Sequence, residues 1–130
     1  MTDTGELVQT LPALAPGAPP QAGTGASAAA PSHLALDGRE LVVGVRGAGV
    51  LARFAVADDG LLTPAAEHAL PTGTPRHHAV VGAWTVVAEQ EPGAVTVLDR
   101  SGRVVSSRPL PSAACVAPDV EETWDRSRRR

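Results

Sequence analysis

The chain repeats itself. Residues 31–56, PSHLALDGRELVVGVRGAGVLARFAV, align without a gap on residues 75–100, PRHHAVVGAWTVVAEQEPGAVTVLDR, 44 positions further on. Pro31 falls on Pro75, His33 on His77, Gly38 on Gly82 and Gly49 on Gly93. The apolar alternation runs in phase, with Leu41, Val43 and Val45 over Thr85, Val87 and Glu89. Self-similarity at one fixed period marks repeat architecture. One unit cannot bury its apolar face alone and must stack on a neighbour.

Each unit reads as four short strands. In the first they are expected at His33–Leu36, Glu40–Arg46, Val50–Val56 and Leu61–Leu70. In the second they are expected at His77–Val81, Trp84–Gln90, Ala94–Asp99 and Arg103–Leu110. Asp37-Gly38, Arg46-Gly47-Ala48-Gly49 and Asp58-Asp59-Gly60 supply the turns, because Gly and Asp accept the backbone angles that tight hairpins need. Four strands in about 44 residues is the size of one propeller blade. A small all-β sandwich with chance self-similarity fits the strand spacing as well.

The predicted class is therefore all-β, a partial β-propeller of two four-stranded blades plus one orphan outer strand. Residues 1–11 carry that strand, since TGELVQTLP resembles the closing element of each unit. Residues 12–31 are Pro-, Gly- and Ala-rich and read as a loop. The blades are expected at 32–74 and 75–116, the second with a closing segment, and a disordered tail at 117–130. Propellers close with about four to eight blades. Two alone leave apolar faces open, so either the chain is the end of a longer protein or it self-associates through those faces.

Composition narrows the function classes. The net charge is −3 and all eleven basic residues are Arg. The body lacks the basic face that a nucleic-acid partner requires. One Cys, Cys115, excludes an internal disulfide. MTDTGELVQT has acids and no apolar core, so no leader is expected and the cytoplasm is the expected compartment. The apolar runs, such as LVVGV, are too short for a membrane span. With only Phe54, Trp84 and Trp124 as aromatics, the core must be built from Val, Leu and Ala.

Three stretches carry a family likeness. SHLALDGRELVVGVRG resembles a strand–turn–strand with D-G-R and a closing R-G. PRHHAVVGAWTVVAEQ resembles a P-R-H opening followed by a strand ending near A-x-Q. LPSAACV resembles a P-x-P-x-C-V ending. Together, over roughly residues 4 to 117, the chain resembles the C-terminal part of a seven-bladed propeller lactonase, the 6-phosphogluconolactonase and muconate-cycloisomerase-like family. It departs from that pattern at His33, where an acid is common, and at Glu89, where Asn is common.

The resemblance implies hydrolysis of an anionic sugar lactone such as 6-phosphogluconolactone, with no cofactor and no metal. It points to Arg76 and His77 as the catalytic candidates, and to Arg46 and Gln90 as substrate-binding candidates. Lactone opening needs an activated water, oxyanion stabilisation and cationic anchors, and Arg offers a bidentate fork for phosphate or carboxylate. The competing reading makes His77 a blade-to-blade tie and pairs Arg76 with Glu89 or Glu91. A chain holding two of seven blades is expected to be inactive or weakly active alone. The rival is a non-catalytic fragment that binds a partner or itself.

Other residues read as structural. Strand alternation sends His78 to the face opposite His77, and no third ligand makes a zinc set with the pair. Glu89 and Glu91 are expected in a solvated turn, His68 on a solvated outer strand, and Cys115 in a buried apolar run.

Overall fold

The computed structural model describes residues 5–14 and 29–119. Eight strands follow one another: β1 (Ala30–Asp37), β2 (Glu40–Arg46), β3 (Val50–Val56), β4 (Leu62–Ala69), β5 (Pro75–Val81), β6 (Trp84–Glu89), β7 (Ala94–Leu98) and β8 (Val104–Pro109). They form two antiparallel four-stranded meanders, β1-β2-β3-β4 and β5-β6-β7-β8. These are two blades, and the period is visible in their irregularities. Bulges interrupt β1–β2 between Pro31 and His33 and β5–β6 between Pro75 and His77. A second pair interrupts β3–β4 between Arg53 and Phe54 and β7–β8 between Val97 and Leu98. Members of each pair are one repeat apart. A bulge inserts one unpaired residue and bends the strand, so both blades bend at the same places.

The blades meet through unlike faces. Val42, Leu51 and Leu70 of the first blade pack on Val87 and Leu98 of the second, with Val104 against the cluster. Burying one such Val or Leu fully contributes about 1.5–3 kcal/mol. Polar contacts frame this apolar contact. At one end Arg53 is buried, and donates to Glu40 at 2.8 Å and to the Thr85 hydroxyl across the junction at 3.1 Å, with Asp37 at 3.7 Å. At the rim, His68 of β4 lies against the β7–β8 turn. A Cβ on Gly102 would fall 1.9 Å from His68 Nδ1. His68 was expected in solvent; the junction half-buries it, and that burial lowers its pKa.

The opposite face of the first blade, Val43, Val45, Val50, Ala52 and Phe54, is covered by Leu11, Ala13 and Leu14. Gln9 clips this segment to β4: its Nε2 donates to the Leu62 carbonyl and its Oε1 accepts from the Leu62 N–H. No strand forms within residues 5–14, where the sequence suggested one. A strand needs a ladder partner, and this segment is held by a side-chain amide and apolar contacts instead. On the second blade the face turned away from the first stays open, with Val81, Trp84 and Val105 each more than two-fifths exposed. The rest of the expected loop (15–28) and tail (120–130) lie outside the described residues.

Candidate functional site

The linker between the blades, residues 70–74, crosses from β4 to β5. It is squeezed between the β2–β3 turn of the first blade and the end of β6 in the second. Gly49 makes the first contact. Its φ is +67°, and a Cβ there would lie 2.6 Å from the Gly73 Cα, so only glycine fits. The second contact is polar. Gln90 N–H donates to the Thr74 carbonyl at 3.1 Å, and Glu91 N–H donates to Thr74 Oγ1 at 2.9 Å.

Four predicted residues gather at this end of the blades. Arg46 closes β2, and Gln90 follows the last residue of β6. Arg76 is the bulged residue at the start of β5 and is exposed; His77 follows it, half-buried. The starts of β1 and β5 are tied by Ser32, whose hydroxyl lies 2.7 Å from the Pro75 carbonyl and 3.1 Å from that of Gly44. The bulge is what presents Arg76, because its side chain is freed from the alternation of the strand. Among the described residues no ion pair joins Arg76 to Glu89 or Glu91. Arg46 Nε is buried without a hydrogen-bond partner among them.

The histidines form one cluster. The His33 and His77 rings lie 3.9 Å apart between centroids at 32°, and His33 meets His78 edge-on at 4.8 Å. His77 Nδ1 accepts the Val116 N–H at 3.1 Å. A neutral His77 therefore carries its proton on Nε2 and acts there as a donor. His78 is 1% exposed, between the blades, and both it and His77 touch His33 of the first blade. The Nε2 of His78 donates to the Val42 carbonyl at 3.1 Å. Burial, then His33, push its pKa down to about 4. His78 thus ties the blades by a hydrogen bond, while His77 meets the first blade through its ring contact with His33. Burial and His77 also lower His33. The described residues hold no group of three or more His, Cys, Asp or Glu arranged to bind a metal ion.

Glu89 is the second correction. Expected in a solvated turn, it is 0% exposed. Thr72 donates to its Oε1 twice, from N–H at 3.0 Å and from Oγ1 at 2.6 Å. Thr96 Oγ1 donates to Oε2 at 2.5 Å. The signal was present in the repeat: Glu89 aligns with Val45, which is also fully buried. Thr72, Thr96 and Ser32 were not identified from sequence, since hydroxyl side chains carry no pattern of their own. Glu91 is exposed as expected. Cys115 is exposed, not buried. Ala113, two residues earlier, takes the buried place.

Two stacked four-stranded antiparallel meanders define a segment of a β-propeller. The chain belongs to the seven-bladed β-propeller lactonase family, whose sequence model matches residues 2–118. Among solved structures it is similar to a protein from Lactobacillus plantarum, with 27% identity and a TM-score of 0.57, covering 71% of this chain and 30% of that one. It is also similar to the periplasmic gluconolactonase PpgL of Pseudomonas aeruginosa, with 25% identity and a TM-score of 0.59, covering 71% of this chain and 29% of that one. The chain thus spans about three-tenths of the length of these structures. A search of curated proteins found no match.

Proposed function

We propose that these two blades supply part of the substrate mouth of a lactone hydrolase, and that the substrate is an anionic sugar lactone such as 6-phosphogluconolactone. The gathering of Arg46, Arg76, His77 and Gln90 at one end of adjacent blades, in a lactonase-family chain, carries this reading. The Arg76 guanidinium is exposed and without an ion pair among the described residues, so it is free to fork onto a phosphate or carboxylate. Arg46 and Gln90 offer donors to the same ligand.

Hydrolysis adds water to the lactone carbonyl, breaks the ring C–O bond and delivers a proton to the departing alkoxide. His77, with its proton on Nε2, suits stabilisation of the oxyanion. The base that activates the water lies outside these four residues. The two blades alone therefore bind better than they turn over.

The test is titration of the purified chain with 6-phosphogluconate, the product, beside a hydrolysis assay with 6-phosphogluconolactone. Binding that falls at least about tenfold in Arg76→Ala, with slow or no turnover, supports the reading. Equal binding by the wild type and Arg76→Ala refutes it.

The open face of the second blade favours a second reading. Val81, Trp84, Val86, Val97 and Val105 line an apolar depression of about 350 Å³. On this reading the chain associates with itself or another protein through that face and has no catalytic role.

A further inference from the structure

Glu89 is a buried carboxylate whose described partners are all neutral, placed where the sister blade holds a valine. Repeat packing alone does not call for it. Removing a carboxylate from water is costly and has to be offset by the hydrogen bonds it accepts. The substitution comes with matching changes. Thr96 aligns with Ala52, so the donor to Oε2 is also particular to the second blade. The single hydroxyl proton of Thr96 goes to Glu89. The Ser107 hydroxyl, 3.1 Å from Thr96 Oγ1, must therefore donate to Thr96. The chain of hydroxyls runs Ser107 to Thr96 to Glu89, and Thr72 meets Glu89 from the other side.

Thr72 is the partner that matters. It lies in the linker between the blades, four residues before Arg76, and gives Glu89 both its N–H and its hydroxyl. Glu89 itself immediately precedes Gln90. One carboxylate therefore couples the segment that leads into Arg76 and His77 to the strand end that carries Gln90.

We propose that Glu89 is a positioning residue for the mouth: it fixes the linker through Thr72 and so sets where Arg76 stands relative to Gln90. This rests on the reading of Arg76 and Gln90 as ligand-binding residues. Glu89 does not touch the ligand. Its acceptance of two linker bonds holds the linker in one position, whereas Val45, its counterpart in the first blade, packs with the cluster that the Leu11 segment covers.

The experiment compares Glu89→Val, Glu89→Gln and Thr72→Val with the wild-type chain. Thermal unfolding, amide exchange at Thr72 and Gln90, and affinity for 6-phosphogluconate are read for each. Glu89→Val leaves the Thr72 and Thr96 donors without an acceptor and is expected to melt below the wild type while still folding. Exchange at Thr72 accelerates about tenfold or more, and affinity falls about fivefold or more. Thr72→Val, which removes the hydroxyl without touching Glu89, reproduces part of the affinity loss. Glu89→Gln, keeping one acceptor oxygen, falls between wild type and Glu89→Val.

Unchanged exchange at Thr72 in Glu89→Val overturns the proposal. So does a Glu89→Val chain that unfolds while Thr72→Val keeps wild-type exchange and affinity, for then Glu89 serves folding alone. If the wild type does not bind 6-phosphogluconate, the ligand reading fails. The linker-fixing role is then decided by the exchange measurement alone.

Discussion

His78 in the second blade donates through Nε2 to the main-chain carbonyl of Val42 in the first, 3.1 Å away. The Nδ1 atom of the same ring is buried without a partner among the described residues. The groups that act on it electrostatically are His33, His77 and Arg53, all basic. The junction therefore holds this histidine neutral.

Acid should weaken the blade junction. The folded pKa of His78 is depressed from 6.5 to about 4, so the unfolded chain binds the proton more readily. Its neutral form favours the fold fully above pH 6.5. That advantage, about 3 kcal/mol for such a shift, is lost progressively as pH falls towards 4. Urea unfolding at pH 7.5, 5.5 and 4 measures it. His78→Leu, which installs the residue aligned in the first blade, Leu34, should flatten this part of the pH profile. An unchanged profile in the variant would place the acid sensitivity elsewhere.

Arg53 should be worth more than a surface ion pair. It is buried, and binds Glu40 and Thr85 on opposite sides of the junction. Its carboxylate partners are about two-fifths exposed and rehydrate when it is removed. Arg53→Ala is therefore expected to cost about 2 kcal/mol, below the 3–5 kcal/mol of a fully buried broken pair. Arg39→Ala, which breaks an exposed pair with Asp58, should cost less than about 1 kcal/mol. Chemical denaturation of the two variants gives the comparison, and equal losses would contradict it.

Gly49→Ala should destabilise the linker end. The new methyl would approach the Gly73 Cα at 2.6 Å in a left-handed backbone conformation. A cost of about 1–3 kcal/mol is expected, with faster amide exchange around Gly73. Gly38→Ala has a similar φ and no neighbour within 4 Å, so it isolates the backbone term from the clash. A cost no larger at Gly49 than at Gly38 would mean that the linker gives way freely.

Trp84→Glu tests the open face. Trp84 is 47% exposed beside Val81 and Val105. If that face drives association, the charge should dissociate oligomers at micromolar concentration and leave unfolding of the monomer within about 0.5 kcal/mol of the wild type. Sedimentation and denaturation together decide it. Identical sedimentation would remove this face as an association surface.

The strands and their grouping into two four-stranded sheets were legible because period, glycine turns and alternation repeat together. The histidines and Glu89 were not, and for one reason. Alternation assigns two faces, and the usual inference makes one of them wet. A face turned to a neighbouring blade is buried instead, and His78 lies in that junction against the Val42 carbonyl. Glu89 looked like a turn residue beside Pro92 and Gly93, although its repeat partner Val45 was apolar. The bulge that frees Arg76 was also hidden, since an extra residue in a strand leaves no mark until the partner strand is known.

The stack of blades has a polarity. Aligned residues point the same way in both blades, so Val43 and Val87 sit on the same side of their own sheets, yet Val87 meets the first blade while Val43 meets the segment with Leu11. Each blade therefore offers a leading side and a trailing side that differ in sequence. Growth by duplication of one blade can occur in one direction without inventing a new contact, much as a monomer adds to a filament end. A change at an aligned position need not have the same effect in the two blades, because the repeat preserves direction but not neighbours.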